Sequence, residues 1–188
     1  YKVEDKRLFL VVVGSKSVLE YYKKKLRIDL EIVEITKAHI VDGKLENGKL
    51  HLINIDTDID KLEFGKHTEL GGALSIKYLD KAIELCHGKY VDGIVTCPIS
   101  KDSINMAGFK YSGHTEYLAE KSKTEDFAMV LKGKKVVVLL NSTHVSLKEA
   151  INRVTKESVL NKIRLAQKAK KELGLTGSIA VAGLNPHN

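Results

Sequence analysis

The chain has 188 residues, of which 43% are hydrophobic, enough for one sizeable core or for parts of two lobes. It carries 31 Lys and Arg against 24 Asp and Glu, which gives a net charge of +7. With only 6% aromatic residues and no tryptophan, this surplus is typical of a solvated lysine-rich surface rather than of a nucleic-acid-binding stripe. The absence of a basic stripe predicts no nucleic-acid partner. The surplus can still attract an anionic substrate.

Three further features of the sequence predict where the protein is found and whether the chain is whole. No apolar stretch approaches the length of a membrane span and no signal peptide is visible, so we expect no membrane partner. Cys86 and Cys97 have no paired spacing, which suits a reducing cytosol and predicts a cytoplasmic protein. The chain opens at Tyr1 and stops at Asn188 inside a loop, so we expect a fragment that lacks both ends.

Short apolar runs alternate with helical patterns along the chain. Strands are predicted at residues 8–13, 31–36, 50–55, 91–96, 136–140 and 178–182. Helices are predicted from a Ser17 cap to about residue 26, and at residues 72–87, 116–121 and 155–173, the last stopped by Gly174. Turn signals at residues 42–43 and 47–48 make 50–55 a hairpin or edge strand. This alternation predicts an α/β fold with a largely parallel sheet.

Lys101 follows the predicted strand 91–96 and the ladder-ending Pro98. A lysine at the carboxyl end of a strand can bind phosphate or carboxylate, or act as a base. On local sequence alone, an ordinary surface lysine is the better interpretation. Cys97 is interpreted as a small buried residue at a strand end rather than as a nucleophile.

The segment from Ser112 to Glu116 combines a turn glycine with a predicted helix start. Thr115 is predicted to cap a helix that begins at Glu116, and an anion can dock at the exposed amides there. His114 lies beside that spot and can donate to an anionic or hydroxyl group. A capped helix with an incidental loop histidine is an equally good interpretation of these residues alone.

A repeated pattern marks the end of two predicted strands. Apolar residues 136–140 lead to His144, and apolar residues 179–182 lead to His187. Continuous β-branched runs are typical of strands buried on both faces of a parallel sheet, and ligands bind beyond the carboxyl ends of such strands. The two imidazoles therefore predict half of a metal site or an acid–base pair. Four other histidines lie in segments that the sequence does not place at this edge of the predicted sheet: His39, His51, His67 and His87.

Familiar signatures of nucleotide and hydrolase sites are absent from the sequence. There is no G-x-G-x-x-G after a strand, no G-x-x-x-x-G-K-[ST] loop, no G-x-S-x-G elbow and no H-E-x-x-H helix. A nucleotide, if bound, is not held by either glycine-rich fingerprint.

Four segments in a fixed order resemble the 4-hydroxythreonine-4-phosphate dehydrogenase family. They are residues 95–101 (VTCPISK), 113–120 (GHTEYLAE), 143–148 (THVSLK) and 183–187 (GLNPH). The order and spacing match across roughly residues 72–187. The resemblance implies a fold like that of the isocitrate and isopropylmalate dehydrogenases, with two lobes around a largely parallel sheet. We divide the chain into a first lobe (1–100 plus 178–188) and a second, dimerisation lobe (101–177).

The resemblance also implies an activity. Members of this family oxidise 4-phosphooxy-L-threonine with NAD or NADP and a divalent metal, and the 3-keto product loses CO₂ to give 3-amino-2-oxopropyl phosphate, on the route to pyridoxal 5′-phosphate. They bind the nicotinamide cofactor without the glycine fingerprint and act as homodimers with active sites at the interface. The metal expected from the family is Zn, Mg or Co.

Residue by residue, His114 and Thr115 match the substrate-binding pair of the family. His144 and His187 match two of three metal-binding histidines, and the third is expected beyond residue 188. Lys101 matches a lysine common in its loop and is a candidate catalytic residue. No residues are assigned to the cofactor.

The chain departs from the family pattern at Cys97, at Asn188 and in the segment 65–72. These departures keep related substrates open, namely 4-phosphoerythronate and phosphothreonate. Two other functions use the same residues differently: a metal-dependent phosphatase or lyase that needs no NAD, and a non-enzymatic module that binds an anionic partner. The last leaves the strand-end histidines unexplained.

Overall fold

The computed structural model describes residues 8–111 and 113–185. By its internal packing the chain divides into two compact units, Tyr1–Ser122 and Lys123–Asn188. In chain order the elements are β1 (Val11–Gly14), α1 (Lys16–Leu26), β2 (Ile32–Glu34), α2 (Lys37–Val41), β3 (Leu50–Asn54), a 3₁₀ turn (Ile59–Lys61), α3 (Glu69–His87), α4 (Lys101–Met106), α5 (His114–Lys121), β4 (Val130–Lys132), β5 (Val137–Leu139), α6 (Leu147–Asn152) and α7 (Lys156–Glu172).

The first unit contains a parallel sheet of three strands in the order β1-β3-β2. On the central strand, Leu52 pairs with Val12 of β1 and Glu34 of β2, and its side chain is fully buried. The predicted α/β fold with a parallel sheet is therefore confirmed for this part of the chain. The prediction that residues 50–55 form a hairpin or edge is wrong, because helical crossovers return each strand in the same direction.

The turn residues before β3 serve the crossover instead of a hairpin. Asp42 ends α2, and Gly43 and Gly48 adopt left-handed φ angles of 64° and 84°. At the start of α1 the N-terminal cap is Ser15 rather than the predicted Ser17. The Ser15 hydroxyl lies 2.8 Å from that of Ser17 and is buried.

Helix α3 contributes to both hydrophobic clusters of the first unit. One cluster contains Ile76, Leu79, Ile83, Ile104 and Tyr117, which come from α3, α4 and α5. The other contains Ile35, Ile53 and Leu85, which join α3 to the sheet. The predicted amphipathic helix is confirmed, and it starts earlier than expected because Thr68 caps it by accepting from the Gly71 N–H at 3.1 Å.

Two apolar segments predicted as strands, 91–96 and 178–182, form no ladder with any described residue. Val95 is 93% exposed and Val181 is 61% exposed. Cys97, which was expected to be buried at the end of the first of these segments, is exposed as well. A strand needs a neighbour whose backbone groups complete its hydrogen bonds, and no described segment pairs with either one. The prediction of buried strands at these two places is therefore not met by the structure.

The second unit contains an antiparallel strand pair, with Leu131 of β4 opposite Val138 of β5. The prediction of a strand at 136–140 is confirmed, but its parallel, doubly buried environment is wrong, since Val138 is 44% exposed. Beside β5 and α7 lies an open groove of about 970 Å³ with many apolar side chains, among them Ile163 and Val181. The apolar residues of β5 therefore face this groove rather than a second sheet neighbour.

Helix α7 was predicted at residues 155–173 and is observed at Lys156–Glu172, so this prediction is confirmed. Thr155 and Ser158 form a reciprocal capping box at its start, and Gly174 takes a left-handed φ of 61° just beyond its end. In the part of the chain that the structure describes, no helix is long and apolar enough to cross a membrane.

Candidate active site

Lys101 is the first residue of α4, and four residues separate it from the segment 91–96. Ser100 caps this helix, because its hydroxyl accepts a hydrogen bond from the Ser103 N–H at 3.2 Å. Lys101 is exposed, and within the described ranges its ammonium group forms no ion pair. A lysine in that state is available to bind a phosphate or a carboxylate.

The imidazole of His67 reaches the same helix start from the loop before α3. Its Nδ1 lies 2.6 Å from the Ser100 hydroxyl oxygen, and its Nε2 lies 3.9 Å from a carboxylate oxygen of Asp102. No local sequence pattern predicts this contact, because 33 residues separate His67 from Ser100. Only the packing of α3 on α4 brings the two together.

His114 and Thr115 form the first turn of α5. The N-terminal cap is Gly113 rather than Thr115, so the predicted capping role of Thr115 is wrong. Thr115 instead lies inside the helix with its side chain exposed, and His114 is half-buried. Both side chains are thus on a helix end rather than in a loop, which restricts where they can point.

Tyr117 anchors this helix three residues beyond His114. Its ring is 1% exposed, and its hydroxyl donates to a carboxylate oxygen of Asp80 on α3 at 2.5 Å. The ring also meets Tyr111 edge-on, with 4.8 Å between centroids. Burial, together with the hydrogen bond to Asp80, raises the pKa of Tyr117 far above its usual value, so the phenol stays a donor. The first turn of α5 is therefore fixed relative to α3.

His144 lies in the loop between β5 and α6. Its side chain is exposed, and its φ of 55° places it in the left-handed region, which is uncommon for a residue other than glycine. Such backbone strain is concentrated at binding and catalytic sites. The conformation marks His144 as a residue whose position is imposed by the loop.

Asn141 begins the same loop and was not singled out from the sequence. Its side-chain Nδ2 donates to the Arg153 carbonyl at 3.3 Å, whereas its Oδ1 is buried with no hydrogen-bond partner among the described residues. A buried acceptor without a partner is rare and indicates an unfilled contact. The signal available in the sequence was its position directly after the strand.

These observations test how well the chain suits a divalent metal. An imidazole nitrogen such as that of His144 is a ligand that Zn²⁺ and Co²⁺ prefer, whereas Mg²⁺ prefers oxygen. The second predicted ligand, His187, lies outside the described residues. Among the residues described, no group of three or more His, Cys, Asp or Glu side chains could hold a metal ion. The donor type fits a metal, and the set is incomplete.

The structure brings together only some of the predicted site residues. Lys101, His114 and Thr115 belong to the first compact unit, on helices that both contribute to the cluster around Ile104 and Tyr117. His144 belongs to the second unit. The roles assigned to these five residues, His187 included, stay predictions.

Comparisons with known proteins bear on the whole chain. The sequence profile of the family described as pyridoxal phosphate biosynthetic protein PdxA matches residues 6–188. A 4-hydroxythreonine-4-phosphate dehydrogenase of a Sulfurihydrogenibium species is 40% identical over 188 residues, 99% of this chain and 56% of that protein. A Fusobacterium nucleatum protein, provisionally named a D-threonate 4-phosphate dehydrogenase, is 39% identical over 95% of this chain and 54% of its own length.

A solved structure agrees with the sequence matches. A protein of Salmonella typhimurium, provisionally titled a 4-hydroxythreonine-4-phosphate dehydrogenase, superposes with a TM-score of 0.86 at 32% identity. The match covers 95% of this chain and 56% of that one. The fold is thus that of an α/β protein similar to dehydrogenases of phosphorylated hydroxy acids. The chain belongs to the PdxA family, and it spans about half the length of the curated relatives that it matches.

Proposed function

We propose that this chain is part of an enzyme that oxidises 4-phosphooxy-L-threonine with NAD or NADP, in pyridoxal 5′-phosphate biosynthesis. The 3-keto acid that results loses CO₂ and yields 3-amino-2-oxopropyl phosphate. The observation that carries the proposal is the family match over residues 6–188, which includes every segment that bears a site residue.

The first compact unit supplies the substrate contacts. Lys101 is exposed and offers its ammonium group to the phosphate or carboxylate of the substrate. His114 and Thr115 orient the substrate from the first turn of α5, which Tyr117 fixes against α3. Rigid placement of such groups is what turns binding into productive alignment.

His144 and His187, with a further ligand from beyond residue 188, would hold a divalent ion in this proposal. When bound, the ion supplies Lewis acidity toward the substrate hydroxyl and toward the negative charge that develops as CO₂ is lost. Since imidazole suits Zn and Co better than Mg, we propose Zn or Co ahead of Mg. The residues that bind NAD or NADP are left unassigned.

We further propose the quaternary arrangement of the family. The complete enzyme has two lobes like those of the isocitrate and isopropylmalate dehydrogenases, with 1–100 plus 178–188 in one lobe and 101–177 in the other. It is a cytoplasmic homodimer whose active sites lie at the subunit interface. Sedimentation analysis of the full-length protein measures its oligomeric state directly.

A second substrate is supported by one observation. The relative provisionally named a D-threonate 4-phosphate dehydrogenase is 39% identical, almost the same as the 40% of the 4-hydroxythreonine-4-phosphate dehydrogenase. The two substrates differ at C2, where one carries an amino group and the other a hydroxyl group. The second candidate function is therefore oxidation of phosphothreonate by the same site.

The test uses the full-length protein that contains this chain, with added Zn²⁺ or Co²⁺ and each of the two phosphorylated substrates. We expect NADH or NADPH formation with one of them, measured at 340 nm, and loss of turnover and of metal binding in His144→Ala. His87→Ala, at the exposed end of α3, is the matched control and should behave as the wild type. Unchanged turnover in His144→Ala would overturn the assignment, and phosphate release without NADH would favour a phosphatase or lyase.

A further inference from the structure

One imidazole contacts the residues on both sides of Lys101. His67 lies beside Ser100 through Nδ1 and faces Asp102 through Nε2. We propose that His67 is a positioning residue for Lys101, which it holds toward an anionic group of the substrate by restraining the first turn of α4. The inference rests on the proposed function, because it takes Lys101 as a substrate contact.

The hydrogen bonds assign a direction to each contact. The Ser100 hydroxyl already accepts from the Ser103 N–H at 3.2 Å, and it has one proton to donate. Donating that proton to His67 Nδ1 places the ring proton of the neutral imidazole on Nε2, where it faces Asp102. This tautomer satisfies the Ser100 hydroxyl and turns the Nε2–H toward the Asp102 carboxylate at 3.9 Å, and it is assigned from the network.

The backbone of His67 is held against α4 independently of its ring. The adjacent Thr68 donates its N–H to the Ser103 hydroxyl at 3.2 Å, and Gly72 lies against the backbone of Ser103 and Ile104. The junction between α3 and α4 therefore persists when the imidazole is removed. A change at His67 consequently acts on the side chains around Lys101 rather than on the packing of the two helices.

The chemistry around Lys101 explains why such a restraint matters. Its ammonium group has a long flexible stem, so its position depends on the backbone of the helix start. The neighbouring Asp102 carboxylate is a competing partner for that cation, and it repels an incoming phosphate. The Nε2–H edge of His67, 3.9 Å from an Asp102 oxygen, weakens both effects, since its positive end faces the carboxylate.

The test compares His67→Ala and His67→Asn in the full-length protein, alone and combined with Lys101→Ala. We expect His67→Ala to raise KM for 4-phosphooxy-L-threonine or phosphothreonate by about fivefold, the equivalent of one hydrogen bond, with kcat changed less than about twofold. In His67→Asn the amide stands near the position of Nδ1, so KM returns toward the wild-type value. In the Lys101→Ala background, His67→Ala should add no further effect.

Two results would overturn the inference: an unchanged KM in His67→Ala, or a full fivefold effect that persists without Lys101. Isothermal titration of the same substrates, without NAD, measures the coupling between positions 67 and 101 when turnover is absent. If the wild type binds a substrate but does not turn it over, only the proposed dehydrogenase activity is wrong. The role of His67 is then still decided by whether the effects of the two substitutions on Kd are coupled. A wild-type protein that neither turns over nor binds either substrate overturns both.

Discussion

Gly72 of α3 approaches Ser103 of α4 so closely that a methyl group at position 72 would stand 1.9 Å from the Ser103 carbonyl oxygen. The nearest atoms belong to backbone, which cannot swing aside as a flexible side chain does. The contact therefore sets the distance between α3 and α4, the helix that begins with Lys101.

Gly72→Ala should accordingly lower the free energy of unfolding by about 3 kcal/mol, since a forced overlap in a packed core has a cost of this size. Urea unfolding followed by circular dichroism measures it. Gly93→Ala is the matched control, because nothing lies within 4 Å of a methyl group there. Similar midpoints for the two variants would contradict the close approach.

Tyr117→Phe should lower the free energy of unfolding by about 1.5 kcal/mol, because it removes a buried hydroxyl that donates to the charged Asp80. Tyr111→Phe is the control, since its hydroxyl donates to Glu120 at an exposed position and its loss should be smaller. Thermal unfolding at pH 7 compares the two. A larger effect at position 111 would mean that the bond to Asp80 does not anchor α5.

Glu84 should make the free energy of unfolding depend on pH in the acid range. Hydrogen bonds from Lys37 and then Lys81 lower the pKa of Glu84 to about 2 from its usual 4.5. A depressed carboxyl pKa stabilises the fold above the unfolded value of 4.5, and that stabilisation is lost as pH falls toward about 2. Because the pair is exposed, we expect less than about 1 kcal/mol.

Glu84→Gln should therefore flatten the dependence of the unfolding free energy on pH between 4.5 and 2. Lys37→Met should flatten it in part, since Lys81 still donates to Glu84 at 2.5 Å. Urea unfolding at a series of pH values gives the slopes. Parallel curves for wild type and Glu84→Gln would show that the ion pairs of Glu84 with Lys37 and Lys81 do not contribute.

His144→Gly should raise stability while it abolishes turnover. Glycine adopts the observed φ of 55° without strain, so we expect a gain of about 1 kcal/mol in the free energy of unfolding. Lys123→Gly is the control, because Lys123 has a similar φ of 51° but no proposed role. It should gain stability and keep its activity, and equal loss of activity in both variants would exclude a specific role for His144.

Local sequence signals predicted α1, α3, α5 and α7, but they missed the short helices α2, α4 and α6 and predicted the sheet only in part. The stripe from Leu74 to Ile83 and the Gly174 stop follow from periodicity and backbone freedom, which act over a few residues. The central place of β3 depends on which strands lie side by side, and residues 42–48 are equally suited to a hairpin or to a crossover. Periodicity does not distinguish these two arrangements.

In the candidate site, too, local features were predicted from the sequence and long-range contacts were not. Lys101, His114 and His144 were found because each follows an apolar run or a turn glycine in a recognisable segment. The contact of His67 with Ser100 was not predicted, because it joins two loops through the packing of α3 on α4. The prediction of a buried strand around Val95 was wrong, because no described segment pairs with it and Val95 is exposed.

The caps of α3 and α4 are linked by hydrogen bonds. Thr68, which caps α3, donates its own N–H to Ser103, and the Ser103 N–H is in turn bonded to Ser100, the cap of α4. Neither helix start can fray without breaking a bond that belongs to the other. In amide exchange, the protons of Thr68 and Ser103 should therefore open in one step at a common rate, so that the loop of His67 and the turn of Lys101 behave as a single cooperative unit.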